Sequence, residues 1–143
     1  LENRRQPEKI TYADPILKDI LDVTCGCIVY QEQVMEICRK MAGYSYGRAD
    51  LVRRAMAKKK HDVMEKERDI FIAGAVKNNV PEKVAQDVFG EMAGFASYAF
   101  NKSHAAAYSV VAYRTAYLKC HFYKEYMAAL MSAFREYTGK LME

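Results

Sequence analysis

Arg53 and Arg54 stand side by side, followed by Lys58, Lys59 and Lys60 and preceded by Arg48, with Asp50 the only acid among them. An arginine fork can grip a phosphate through two donors at once, which a lysine cannot. On a helix Arg54 and Lys58 are i, i+4 neighbours, and Arg53 and Lys60 lie two turns apart on one stripe. Leu51, Val52, Ala55 and Met56 are expected to fill the opposite, packed side. Two adjacent arginines cannot point the same way, yet their forks can reach different oxygens of one extended anion. A solvated face is the usual fate of such a run, so charge alone leaves both readings open.

A second set lies in a stretch without Asp or Glu, from Met92 to Lys124. It carries Lys102, His104, Arg114, Lys119, His121 and Lys124, with Tyr and Phe spaced among them. Asn101, Lys102, Ser103 and His104 are expected at a helix start, Ser103 as the cap. Free N–H groups and the helix dipole there suit an anion, Lys102 adds a charge, and His104 adds a donor. Asn and Ser are also ordinary capping residues, so this run too has a bland reading. For Tyr108, Tyr113 and Tyr117, helix packing is expected over base stacking.

No complete active site is present. Two-metal nucleotidyl transfer needs converging carboxylates, but there is no Asp-x-Asp pair, and Asp50 and Glu32 read as isolated structural acids. No Ser-His-Asp set or P-loop appears, and no catalytic residue is assigned. The four cysteines, Cys25, Cys27, Cys38 and Cys120, form no C-x-x-C pair. They are expected to be buried reduced thiols in a reducing compartment rather than metal ligands.

The elements that must position these residues read as helices. At 143 residues, 51 % hydrophobic and 28 % charged, the chain is the size of one globular domain. Its net charge of +4 is mildly basic. Its longest uncharged run, Ser103 to Tyr113, has 11 residues, against the roughly 18 a membrane helix needs. The opening Leu1-Glu2-Asn3-Arg4-Arg5 has no apolar leader, and without an initiating Met the chain is expected to be a piece of something longer. Asp14-Pro15 opens a short helix to about Leu21, and Thr24 to Tyr30 is expected to be extended. Helices then follow over Gln31 to Ala42, closed by Gly43, and from Ser45 toward Lys60. Further helices are expected over Asp62 to Asn79, with Val63, Ile70, Phe71 and Val76 apolar, over Glu82 to about Phe95, from Ser103 to about Phe122, and over Lys124 to Tyr137. The expectation is an all-α chain of about seven packed helices.

Several ordered motifs then carry a resemblance. They are Tyr30-Gln31-Glu32-Gln33-Val34-Met35, Gly43-Tyr44-Ser45 with Gly47 and Ala49-Asp50, Arg53-Arg54-Ala55-Met56 with Lys58-Lys59-Lys60, Phe100-Asn101-Lys102-Ser103-His104, and Tyr113 with Thr115-Ala116-Tyr117-Leu118-Lys119. Together they resemble the fingers domain of the bacterial C-family replicative polymerases, the alpha subunits of DNA polymerase III, to about Ala133. Ala57, Ser97 and Ala99 stand where glycines are common in that family, and Tyr123 where a Pro is.

The resemblance implies a single helical fingers domain over 1–143, cut from a larger multidomain enzyme. Its parts are a lead-in and short helix (1–30), a basic helix region (31–60), a helical pair (61–98), and a nucleotide-facing helix with a terminal helix (99–137). It implies a part of a DNA-directed DNA polymerase, a nucleotidyltransferase of DNA replication, that binds the incoming deoxynucleoside triphosphate and closes over the primer-template terminus. Arg53 and Arg54 are the implied triphosphate ligands, with Asn101, Lys102 and His104 lining the same pocket. Lys58, Lys59, Lys60 and Ser103 are secondary candidates for phosphate or DNA contacts. Gln31, Glu32 and Gln33 are expected to form a scaffold that orients the basic helix. Mg2+ is expected on aspartates of a palm domain absent from this chain, none being held here, so that the fragment alone is inactive. Implied partners are primer-template DNA, deoxynucleoside triphosphates, the remaining polymerase domains and replisome subunits, in the cytoplasm and without a membrane. The rival readings are a stand-alone basic helical module that binds nucleic acid without catalysis, and a purely structural helical domain.

Overall fold

Asp14 sits in extended backbone and accepts a hydrogen bond from the Ile16 N–H at 2.8 Å, with Pro15 next in line, and a seven-residue helix starts there. The computed structural model describes residues 2–58, 60–95, 98 and 100–135. Among them eight α-helices and no strand form: α1 Glu2–Arg5, α2 Pro15–Leu21, α3 Gln31–Ala42, α4 Tyr46–Ala57, α5 His61–Lys77, α6 Glu82–Phe95, α7 Lys102–His121 and α8 Tyr123–Ala133. The helix beyond the expected number is α1, a single turn that buries nothing. The expected lead-in is extended only in its last part. Asp22–Thr24 is a 3-10 turn, and Cys25 and Gly26 follow at φ 54° and 81°. Tyr30 then forms an isolated parallel bridge with Phe100. The expected end of the last helix, at 136–137, lies outside the described residues, as do Ser97, Ala99 and Lys59.

The chain divides into two units, Leu1–Lys102 and Ser103–Glu143. In the first, α3 packs against α2, α4 and α5, and α5 also packs against α4 and α6. Val34, Ile37, Cys38 and Met41 of α3 are fully buried, as the i, i+3, i+4, i+7 pattern requires. They meet Val52 of α4, Phe71 of α5 and Met92 of α6 in one core. Each such side chain contributes about 1.5–3 kcal/mol relative to exposure.

Two expected stripes are corrected by the structure. Leu51 is half exposed; Ala49 takes its place with Val52, Ala55 and Met56 on the packed side of α4. On α5, Ile70 and Val76 are exposed, and the buried line runs Glu67, Phe71, Ala75. The line contains a carboxylate because that carboxylate is fully partnered. Arg48 holds both Glu67 oxygens, at 3.2 and 3.1 Å, and the Tyr44 hydroxyl donates to Oε2 at 2.9 Å. The Arg48 guanidinium also lies 4.7 Å over the Tyr44 ring. A buried charge is tolerated only with such partners. This cluster ties α4 to α5 and so sets where the basic end of α4 sits. Burial and the adjacent Glu67 raise the Tyr44 hydroxyl well above its usual pKa, so it stays a donor throughout the physiological range.

Two glycines set the α3 surroundings. Gly43 takes φ 71° at the end of α3 and donates to Arg39 O, while Tyr44 N–H donates to Cys38 O, satisfying the last carbonyls. Gly74 lets α5 approach α3 so closely that a Cβ there would meet Ala42 O at 2.5 Å.

The second unit contradicts the packing expected for its tyrosines. No residue of α7 is buried, and Tyr108, Tyr113 and Tyr117 are exposed. Apolar and aromatic residues surround this helix instead of forming a stripe, so no single side is marked for a core. All four cysteines are free thiols, but the expected burial holds only at Cys38: Cys27 and Cys120 are exposed and Cys25 is intermediate. Burial pushes the Cys38 thiol up to about 12.

Gly74→Ala is expected to lower stability by about 2 kcal/mol through forced backbone displacement. Gly90→Ala, on an exposed helical position with nothing within 4 Å of the added Cβ, is expected to raise it by up to about 1 kcal/mol. Urea denaturation of the two variants reads both signs; a neutral Gly74→Ala would contradict the close α3–α5 approach.

Candidate phosphate-binding site

Ser45 caps α4 by accepting from the Arg48 N–H at 3.3 Å, and about two and a half turns of packed helix then carry the arginine pair toward the other end. Arg53 donates from Nε to Asp50 Oδ1 at 2.8 Å, with Nη2 2.7 Å from the same oxygen. Its Nη1 donates to Gln31 Oε1 on α3 at 2.9 Å. Arg54 reaches the other Asp50 oxygen, Oδ2, at 2.7 Å. The two forks thus hold different oxygens of one anion, and here that anion is a carboxylate of the same helix. Asp50 is the common counter-ion of both arginines, three and four residues before them, the spacing at which helix side chains meet. The hydrogen bond from Arg53 above all, with Arg54 adding to it, holds the Asp50 carboxyl below the usual carboxylate range.

The two arginines differ in freedom. Arg53 is gripped from two helices and its side chain is 27 % exposed, whereas Arg54 is 68 % exposed. Arg54 lines a cavity of about 640 Å³ together with Lys58 and Lys60, over Gly47, Leu51 and Val63, with Asp50 at its edge. Arg53 is not among its lining residues. Three cations over an apolar floor, in a volume within the range of small-molecule sites, make a place for a polyanion with a less polar body. The exposure of Leu51 follows from this: its side chain forms part of the floor.

Asn101 and Lys102 also belong to the first unit, and they meet α3 rather than α4. Helix α7 starts at Lys102, so Ser103 lies inside the helix instead of capping it. The anion at this helix start is Glu32: its carboxylate accepts from the Lys102 N–H at 3.0 and 3.2 Å and from Asn101 Nδ2 at 2.9 Å. Backbone bonds join the segments on either side of the Tyr30–Phe100 bridge, Gln31 N–H to Phe100 O at 3.0 Å and Phe100 N–H to Val29 O at 3.2 Å. The Lys102 ammonium lies 5.9 Å from the centre of the Tyr30 ring. Ser103 and His104 fall in the second unit, where the His104 ring lies 4.4 Å from the Tyr108 ring at an interplanar angle of 39°.

The first turn of α3 therefore supplies the residues that sequence reasoning left vague. Gln31 meets the basic helix, as a scaffold would. Glu32 instead holds the Asn101-Lys102 segment. Gln33 turns the other way: its Oε1 accepts from the Val29 and Tyr30 N–H groups, and its Nε2 donates to Ile20 O and Thr24 Oγ1. Of these partners only Asp50 was readable from its spacing to Arg53 and Arg54; the Glu32 contacts span about seventy residues of sequence and leave no local signal.

Comparison with known proteins gives a consistent picture. The sequence profile of the bacterial DNA polymerase III alpha subunit finger domain matches residues 1–79. The DNA polymerase III subunit alpha of Treponema pallidum is 52 % identical over 132 residues, 92 % of this chain and 11 % of that protein. That of Thermus aquaticus is 51 % identical over 132 residues, with the same shares covered. That of Escherichia coli is 44 % identical over 147 residues, 99 % of this chain and 13 % of that protein. The chain thus spans only about an eighth of the length of these relatives.

A depressed carboxyl pKa makes the Asp50 contribution to stability present at neutral pH and lost as pH falls through its folded value. NMR titration is expected to find Asp50 below an ordinary aspartate, and Arg53→Ala is expected to return it upward. An Asp50 that titrates alike in both proteins would contradict the shared-anion geometry.

Proposed function

We propose that this chain, which belongs to the bacterial DNA polymerase III alpha subunit finger domain family, binds the triphosphate of the incoming deoxynucleotide and closes over the primer-template terminus during DNA replication. One observation carries the reading: Arg54, Lys58 and Lys60 line one cavity of about 640 Å³. The pair of Arg54 with Asp50 is exposed and screened by water, so Arg54 can exchange its carboxylate partner for phosphate at little cost. Arg53, held by both Asp50 and Gln31, is the better anchored of the two and stands behind it as the second triphosphate ligand. Asn101, Lys102 and His104 contribute at the nucleotide or primer end, and Ser103 and Lys59 are further phosphate contacts; Lys59 lies outside the described residues.

The chemistry these residues supply is electrostatic. Negative charge grows on the β- and γ-phosphates as pyrophosphate leaves, and fixed guanidinium and ammonium groups stabilise it without reorganising. Among the described residues no three of His, Cys, Asp and Glu lie together as a metal would require. In this reading the Mg2+ ion belongs to palm aspartates elsewhere in the intact enzyme. The partners are primer-template DNA, deoxynucleoside triphosphates, the other polymerase domains and replisome subunits, in the cytoplasm. No helix among the described residues is long and apolar enough to cross a membrane. In this reading both units, 1–143, act as one fingers domain, inactive when separated from the rest of the polymerase.

Arg54→Ala in the full-length polymerase is expected to slow single-nucleotide incorporation on the order of 10²-fold while leaving primer-template affinity near wild type. Pre-steady-state quench-flow measures the first and fluorescence anisotropy the second. Wild-type incorporation by Arg54→Ala would overturn the reading. Loss confined to salt-dependent DNA binding would favour a nucleic-acid-binding module without a nucleotide pocket.

A further inference from the structure

We propose that Glu32 is a positioning residue for nucleotide binding: a built-in anion that fixes Asn101 and Lys102 against the helix that orients the arginines. The proposal rests on the nucleotide-site reading above and adds to it a residue that touches no phosphate. Three observations carry it. Glu32 makes its hydrogen bonds at 2.9 to 3.2 Å to the Asn101 side chain and the Lys102 N–H. The Lys102 N–H is one of the donors that a helix start leaves without an intrahelical partner, and a carboxylate there is further favoured by the helix dipole. Finally, its neighbour Gln31 holds Arg53 at 2.9 Å. One helical turn thus fixes two basic segments that are about fifty residues apart in sequence.

The consequence for binding is twofold. With Glu32 in place, the α7 start is already satisfied by an anion, so the phosphates are directed to the side chains of the basic residues and not to the helix end. Without it, Asn101 Nδ2 and the Lys102 N–H lose the Glu32 oxygens, the Asn101 and Lys102 side chains shift locally, and the bare helix start competes for phosphate. Misplacement of binding groups by a fraction of an ångström to one ångström is felt strongly in such sites. The backbone zipper between Val29, Gln31 and Phe100 keeps the segment in place after the substitution, so the defect falls on geometry and not on folding.

The test uses full-length polymerase with Glu32→Ala, Glu32→Gln, Asn101→Ala, Lys102→Ala and the double variant Glu32→Ala/Asn101→Ala. Steady-state kinetics, primer-template affinity and thermal unfolding are read for each. Glu32→Ala is expected to raise the KM for the nucleotide about 10-fold while kcat, DNA affinity and melting temperature stay near wild type. Glu32→Gln, which keeps an acceptor oxygen, is expected to fall between, and the double variant to be no worse than the worse single, since one acts through the other. An unchanged KM in Glu32→Ala, beside a raised KM in Lys102→Ala, would overturn the positioning role and leave the nucleotide site standing. Unchanged KM in Glu32→Ala, Lys102→Ala and Arg54→Ala alike would remove the site and the proposal together. Equal losses of kcat and melting temperature in Glu32→Ala and Glu32→Gln would reduce Glu32 to a structural residue and overturn the proposal; should Glu32→Ala fail to fold, Glu32→Gln alone decides by the same criteria.

Discussion

The arrangement depends on the first turn of α3, where three consecutive side chains hold three different parts of the chain. Gln31 grips Arg53, Glu32 grips Asn101 and the α7 start, and Gln33 grips the lead-in from Ile20 to Tyr30. Successive helix residues point about 100° apart, so a single turn can serve partners in three directions. The remainder of α3 is buried against α2, α4 and α5, which gives that turn a rigid base. Its polar contacts are therefore preorganised by apolar packing one turn away.

Carboxylates inside a cationic site look like a contradiction, but each has a distinct effect. Asp50 keeps two adjacent guanidiniums from splaying apart and holds them as a pair. Glu67 orients Arg48 from below and locks α4 on α5. Glu32 satisfies a helix start. None removes Arg54, Lys58 or Lys60 from the cavity they line. The most exposed of these pairs is Arg54 with Asp50, which leaves the most accessible arginine the easiest to redirect.

Sequence legibility followed the range of the interactions. Helices α3 and α6 and the caps at Asp14 and Ser45 were readable because their causes are local: apolar period and capping chemistry. The Asp50 pairing with Arg53 and Arg54 has the i, i+3 and i, i+4 spacing of a local helix contact, although Asp50 taken without its helix looks like an isolated acid. Glu67 could not be placed in the core from its own helix, because its charge is compensated by Arg48 and Tyr44, 19 and 23 residues away. The Glu32 contacts were still further from view. Helix α7 misled in the opposite way. Its tyrosines suggested packing, yet its apolar residues encircle the helix and define no buried side.

The family assignment and the geometry meet at the arginine pair, which lies within the matched residues 1–79. The most direct measurement is a structure of the full-length polymerase with primer-template and a non-hydrolysable deoxynucleoside triphosphate. Phosphate oxygens are expected at about 2.7–2.9 Å from the Arg54 guanidinium, with Lys58 and Lys60 beside them and Glu32 still on Asn101. A triphosphate seated elsewhere, with Arg54 still bound only to Asp50, would contradict this placement.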